Sequence, residues 1–316
     1  VRAFITGIAG FAGSHLAEHL LASGDEVLGS SCQNVWNDDA PALLRHTVPL
    51  ARWNIAEPIS PESLQQIADF RPDVVFHLAA VSIPADCGQQ EPTSHAWQVN
   101  VVGTERVVEM AGAIASRPRV LVVSSCRVYG RLDPKQLRVA ETALLQPTNG
   151  YGKTKLAAEQ ALWRKCDAFK LEGLVIRAFN HAGPRQSPRL MLSEWCQQFA
   201  RGDNPVRVHC LDSYLDMSDV RDVVRAYRML ALAGKPGEAY NVGGGVPLRS
   251  GDIFEQLRQI CAPERPTLEL APGRRQDPIA DLTKIQSTIN WRPDTPLTAT
   301  LRDTLDYWLA RTARPN

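Results

Sequence analysis

The 316-residue chain lacks a dominant charge: 35 Lys and Arg stand against 34 Asp and Glu. A formal charge of +1 at pH 7 creates no field that would draw a nucleic acid or an anionic membrane surface. Cysteine pairs in CxxC spacing are absent. The seven cysteines, an odd number, are scattered from Cys32 through Cys87, Cys126, Cys166, Cys196 and Cys210 to Cys261. That pattern speaks against a zinc ribbon and a disulfide framework, and fits a reduced, cytoplasmic compartment. No apolar run approaches the ~18 residues that a membrane span needs. The opening segment passes directly into a glycine motif, so no signal peptide is expected within it. Internal repeats and low-complexity tracts are missing too. What remains is ordinary globular composition, 44% hydrophobic and 22% charged, which excludes a collagen, a coiled-coil rod or a disordered tail. The length suits one large α/β domain or two unequal ones.

The first half alternates short β-branched runs with longer helical patterns. Residues 2–6, 26–29, 73–76, 119–124 and 173–177 read as strands, and 12–23, the stretch after Pro61, 94–115 and 151–169 as helices. Repeated strand–helix–strand units with fully apolar strands predict a parallel sheet covered on both faces, doubly wound through right-handed crossovers. After Arg177 the rhythm breaks, and prolines from Pro184 to Pro278 punctuate shorter elements. The expected division is a dinucleotide-binding domain over 1–178, to which 219–245 returns, and a smaller α/β substrate-binding part over 179–316. The strand-like 239–242 is the element expected back in the sheet.

Gly7-Ile8-Ala9-Gly10-Phe11-Ala12-Gly13 follows the first strand and opens the first helix. Missing Cβ atoms let a backbone turn sharply and a pyrophosphate approach, while the helix N-terminus offers N–H donors and partial positive charge. The spacing GxxGxxG alone is weak, and glycines serving only a tight turn are the bland alternative. In a strand–turn–helix context it points to a dinucleotide.

Tyr151 and Lys155 stand one helical turn apart on one face. A phenol is a poor acid–base group near neutrality unless a cation stabilises its phenolate, and Lys155 can be that cation. An incidental pair on an exposed helix is the alternative. Ser124 and Ser125 end a strand at the carboxyl edge of the sheet, where open α/β folds bind ligands. A serine there donates to a carbonyl or alkoxide oxygen, or else bonds only its own turn. With Tyr151 and Lys155 it forms a proton-transfer set suited to hydride chemistry at a carbinol carbon.

Together with His77-Leu78-Ala79-Ala80, Asn100-Val101-Val102-Gly103-Thr104, Val128-Tyr129-Gly130, Arg177-Ala178-Phe179-Asn180-His181-Ala182-Gly183-Pro184, Asp219-Val220-Arg221-Asp222-Val223 and Tyr240-Asn241-Val242-Gly243, these motifs resemble an extended short-chain dehydrogenase/reductase over nearly the whole length. The resemblance is to the NAD-dependent epimerase/dehydratase group of nucleotide-sugar enzymes. Within it, the Phe179-Asn180-His181 run with Gly183-Pro184, and Leu211-Asp212-Ser213, look most like the branch of GDP-mannose dehydratases and GDP-6-deoxy-4-keto-hexose reductases. The resemblance implies a Rossmann-like fold with NAD or NADP. It makes Tyr151 the acid/base, Lys155 the ribose contact that lowers the tyrosine's pKa, and Ser125 the residue orienting the sugar oxygen. It implies cofactor contacts at Gly7, Gly10, Phe11, Ala12, Gly13, Ser31, Asn54, Ile55, Leu78, Ala79, Ala80, Asn100, Ser124, Phe179 and His181. Ser82, Asn180 and Arg274 are implied on the substrate side, the last two at the diphosphate. It also implies a homodimer packed through the long helical stretches, with no metal, nucleic acid or membrane partner.

Departures from that pattern carry information. Dehydratases have a glutamate two residues after the serine or threonine; here Arg127 stands there and cannot accept a proton, which argues against 4,6-dehydration. The second strand ends in Ser30-Ser31-Cys32, without the acid that marks NAD preference or the arginine that marks NADP, so the choice stays open. Leu215 replaces an arginine that relatives direct at the diphosphate. The string from His15 to His19, with Glu18, mimics a zinc-peptidase motif but lies on the first helix, where a polar face is expected. The expected activity is NAD(P)H-dependent reduction of a 4-keto-6-deoxy nucleotide sugar, GDP-linked by preference. The alternatives are a 4-epimerase with tightly held NAD and a non-enzymatic NAD(P)-binding redox sensor.

Overall fold

The structure, a computed structural model, describes residues 1–130 and 138–313. Seven parallel strands form one sheet in the order Leu50–Arg52, Glu26–Ser31, Arg2–Thr6, Val74–His77, Arg119–Ser125, Gly173–Ala178, Ala239–Val242. The chain reverses its direction of growth beside Arg2–Thr6, whose neighbours are Glu26–Ser31 and Val74–His77. A crevice opens at the carboxyl ends of the strands at such a point. The central strands are apolar because both faces are covered: Val74–His77 and Gly173–Ala178 are buried along their full length. One layer is packed by Leu16, Leu20, Val223, Tyr227 and Leu230, the other by Val107, Val108, Met110 and Leu162. Ala239–Val242 pairs in register with Val175–Ala178, and the helix Val220–Ala233 packs on Phe11–Ala22.

Boundaries shift where local chemistry outweighs the apolar pattern. The helix Gly150–Phe169 begins a residue early because Asn149 caps it, its side chain accepting from the Gly152 N–H at 2.8 Å. The stretch expected as one helix over 94–115 is Ser94–Trp97, a π-helical turn at Gln98–Val102, and Gly103–Ala113. Asn100 lies in that turn, and its side chain bonds Val81 and Thr154 instead of following the helix surface.

The remaining chain builds a smaller unit over the crevice. Its strand Ser213–Asp219 pairs with Asn180–Ala182 and Arg275–Gln276 in parallel and with Pro247–Arg249 antiparallel. Trp195, Phe199, Phe254 and Trp308 fill its core under helices Met191–Arg201, Ser250–Cys261 and Leu297–Thr312. Among the described residues, no helix is long and apolar enough to cross a membrane.

Candidate active site

A cavity of about 940 Å³ runs along the carboxyl edge of the sheet, bounded by the glycine turn on one side and the smaller unit on the other. That volume lies in the range of ligand clefts. At the turn, Gly7 has φ +72°, and a Cβ there would fall 2.7 Å from the Ala79 backbone. A Cβ on Gly13 would sit 2.3 Å from the Gly7 carbonyl oxygen. The helix Phe11–Ala22 has neither a side-chain cap nor an acid in its first turn, so its leading N–H groups and dipole are left for an anion at the cavity wall. These residues fit a dinucleotide pyrophosphate.

A buried relay fixes the opposite wall. Thr6 Oγ1 meets His77 Nδ1 at 2.7 Å and accepts from the Ala79 N–H. His77 Nε2 lies 2.9 Å from Thr104 Oγ1, which donates to the Asn100 carbonyl. Burial, with Lys155 nearby, pushes His77 down to about 3, so the ring is neutral. Leu78, Ala79, Ala80 and Ser82 follow this strand end and line the cavity. The second strand ends at Ser31, whose hydroxyl exchanges hydrogen bonds with Val35 at 3.2 Å, and the exposed Cys32 follows. Asn54 and Ile55 close that end; Asn54 Oδ1 accepts from the Ala56 N–H at 3.1 Å.

The chemistry-bearing groups meet at the middle of the cavity. Ser125, Tyr151 and Lys155 all line it, and Tyr151 is hydrogen-bonded to Ser125. Lys155 Nζ donates to the Val123 carbonyl at 2.9 Å and lies 5.9 Å from the Tyr151 ring centre. Burial pushes the Tyr151 phenol up to about 12, while the Ser125 hydrogen bond and the Arg127 charge pull the other way. Burial lowers Lys155 to about 8. Burial dominates, so the phenol is protonated across the neutral range and is poised as a donor. Ser124, also at the wall, donates to Glu159, which pairs with Arg177 in the interior.

A scan against family models matches residues 3–243 to the NAD dependent epimerase/dehydratase family. The chain belongs to this family. It is an NAD(P)-dependent enzyme of the extended short-chain dehydrogenase/reductase type. A GDP-6-deoxy-D-mannose reductase from Pseudomonas aeruginosa is 28% identical, over 98% of both chains. The solved structure of RMD from Pseudomonas aeruginosa complexed with NADPH superposes with a TM-score of 0.83 at 26% identity, over 98% of this chain and 99% of that one. UDP-glucuronic acid 4-epimerase from Bacillus cereus, solved with UDP-glucuronic acid and NAD, gives a TM-score of 0.84 at 25% identity, over 98% and 100%.

Two residues expected at the site of this family member stand elsewhere. Asn100 does not line the cavity: its Oδ1 accepts from the Val81 N–H, and its Nδ2 donates to the Val81 carbonyl and to Thr154 Oγ1. Since Thr154 Oγ1 donates to the Tyr151 carbonyl, Asn100 ties the cavity wall to the helix that carries Tyr151. Arg274 stacks over the ring of Tyr214, a residue of the cavity wall, at 4.9 Å, and Arg275, exposed as Arg274 is, itself lines the cavity. Phe179, Asn180 and His181 do line it. His181 Nδ1 meets the Phe179 carbonyl at 2.9 Å, and its ring stacks on Phe11 with centroids 5.8 Å apart. Asn180 donates to the Asp216 carbonyl. Leu215, buried, presents an apolar wall where a cation was expected.

Sequence reasoning missed Asn37, Trp53, Gln186, Tyr214 and Asp277 at the wall. Asn37 Nδ2 donates to the Ala9 carbonyl at 2.7 Å, fastening a loop to the glycine turn, and no periodic pattern marks such a loop residue. Asp277 lies three residues after Arg274. It grips Arg127 with two bonds of 2.6 and 2.7 Å. In the zinc-like string, His15 Nε2 meets the Pro184 carbonyl at 2.9 Å, and Glu18 pairs with Arg185.

Proposed function

We propose that this protein reduces the 4-keto group of a 6-deoxy nucleotide sugar, GDP-linked by preference, with NADPH or NADH. In this reading residues 1–178 and 219–245 hold the cofactor and the rest of 179–316 holds the sugar nucleotide. The observation that carries it is the meeting of Ser125, Tyr151 and Lys155 in a dinucleotide-sized cleft, with Arg127 committed to Asp277 where a dehydratase needs a free base. The similarity to the GDP-6-deoxy-D-mannose reductase supports the choice of substrate class.

The cofactor is assigned to the glycine turn, Ser31, Asn54, Ile55, Leu78–Ala80, Ser124, Phe179 and His181, with Asn100 supporting from behind. When bound, its reduced nicotinamide supplies the hydride. Tyr151 delivers a proton to the C4 oxygen as that carbon is reduced, giving the hydroxyl. Ser125 orients the same oxygen through its hydroxyl, and the Lys155 ammonium stabilises the phenolate until solvent reprotonates it. Ser82 and Asn180 remain sugar-side contacts, and Arg275 takes the diphosphate role expected of Arg274.

A 4-epimerase is the second reading, favoured by the likeness to UDP-glucuronic acid 4-epimerase and by the fact that the same three residues serve both reactions. An epimerase retains its NAD without net consumption, whereas a reductase consumes NAD(P)H. The assembly we assign is a homodimer packed through residues 94–113 and Gly150–Phe169, where Trp97 stands 45% exposed; light scattering at micromolar concentration should give twice the chain mass. The substrate class is tested by thermal shift with cofactor present, because a ligand that binds only the folded state raises the midpoint. GDP-sugars should raise it more than UDP- or dTDP-sugars, and the reverse order would contradict the GDP assignment.

A further inference from the structure

Arg127 follows Ser125 in the turn that ends the fifth strand of the sheet in chain order. Its N–H donates to Ser125 Oγ at 3.2 Å, and Ser125 is itself bonded to Tyr151. A Cβ on Gly152 would fall 2.5 Å from the Arg127 carbonyl oxygen, so the residue next to Tyr151 rests directly on the Arg127 backbone. At the other end the guanidinium is clasped by Asp277, which belongs to the smaller unit and whose N–H donates to the Tyr214 carbonyl at 2.9 Å. Both side chains line the cavity, 34% and 27% exposed, a setting in which an ion pair adds little stability.

We infer that Arg127, anchored by Asp277, is a positioning residue for Tyr151, placing a tethered permanent charge beside the phenolate that proton delivery leaves behind. The inference rests on the reading of Tyr151 as the proton donor. Around the phenol stand Lys155 from its own helix, Cys87 from the segment Pro84–Cys87, Cys126 and Arg127 from the turn, and Tyr227 from the helix Val220–Ala233. Burial raises both thiols and Tyr227, so these three are neutral. Lys155, lowered to about 8 by burial, gives up its charge in mildly alkaline solution. Burial also opposes the charge on Arg127, but Asp277 overcomes this and holds it above its usual range, so it stays cationic at every working pH. Arg127 is thus the cation that persists when Lys155 is neutral, and Asp277 sets how much of its field reaches the phenol.

The two partners make opposite predictions, which a purely structural role would not. The ultraviolet absorbance of tyrosinate is titrated with oxidised cofactor bound, each variant being read as a difference from the same variant carrying Tyr151→Phe. Arg127→Met should raise the Tyr151 midpoint by roughly one pH unit, because the cation is lost and Asp277 is left. Asp277→Asn should lower it by a similar amount, and Arg127→Lys, whose amine is itself neutral at that midpoint, should raise it as Met does. Should Asp277→Asn fail to fold, the Met and Lys variants still decide, both rising above wild type. Shifts of the Met and Asn variants in one direction, or a Met midpoint equal to that of the wild type, would overturn the inference. No substrate is needed, so this result is independent of the turnover assay that tests Tyr151 itself.

Discussion

Glu159, two turns beyond Tyr151 on the same helix, forms a buried ion pair with Arg177 of the neighbouring strand, Oε2 to guanidinium 2.9 Å, the side chains 2% and 6% exposed. Ser124 donates to this carboxylate, and Arg177 continues to the Tyr129 hydroxyl, which donates to Asn241 at 2.6 Å. The pair therefore fixes the helix bearing Tyr151 and Lys155 to three strands of the sheet at the level of the cavity floor. Both charges are satisfied, so neither can be removed alone without stranding the other.

Glu159→Gln should destabilise the fold by about 3–5 kcal/mol, most of it from an uncompensated buried guanidinium. Urea denaturation measures this. A loss below about 1 kcal/mol would mean that water reaches Arg177.

Stability should fall as pH drops from 6.5 toward 4. His15 is held down at about 4, chiefly by burial and then by Arg185, and His77 at about 3 by burial and Lys155. Both folded values lie below the ordinary 6.5, so the unfolded chain binds protons first. Their contribution is complete above 6.5 and lost as pH falls through the window toward the folded values. The cost is roughly 1 kcal/mol per histidine per pH unit in that window. His15→Gln should remove part of the slope in denaturation midpoints between pH 7 and 4.5. An unchanged slope would contradict the assignment.

Cofactor discrimination should be weak, less than about 100-fold in affinity, or ~3 kcal/mol. Ser30, Ser31, Cys32 and Gln33 line the far end of the cavity with no charge of either sign. Ser31→Asp should swing preference toward NAD(H) by accepting ribose hydroxyl bonds and repelling a 2′-phosphate, and Cys32→Arg should swing it toward NADP(H). Calorimetric titration of both cofactors decides it. A wild-type preference far above 100-fold would mean that another residue reads the ribose.

GDP-mannose should yield no 4-keto-6-deoxy product by mass spectrometry. Arg127 cannot accept a proton, and Asp277, a carboxylate at the cavity wall, already accepts two guanidinium bonds from it. Detection of that product would show that another base has access to the sugar.

The sheet was legible because its strands are buried on both faces, and continuous β-branched runs such as those around Val74 and Val175 have no other stable setting. The Ser125–Tyr151–Lys155 set was legible because one spacing places two residues on one helix face and one strand end carries the third. Asn100 stands behind the cavity wall, because sequence shows its amide but not the π-helical turn that points it at Val81 and Thr154. Arg274 and Arg275 are adjacent and chemically identical, so the sequence alone does not tell which of them lines the cavity. Arg127 was legible as a missing base, but its grip on Asp277 spans 150 residues and depends on the packing of the two units.

The central claim, that Tyr151 is the proton donor for carbonyl reduction, is tested most directly by single-turnover and steady-state oxidation of NADPH with a GDP-linked 4-keto-6-deoxy sugar. The wild type should consume cofactor in proportion to substrate. Tyr151→Phe should keep its cofactor affinity and fold but lose about 10²–10⁴-fold in turnover, because the ring remains and the donor is gone. Near wild-type turnover by Tyr151→Phe would contradict the account.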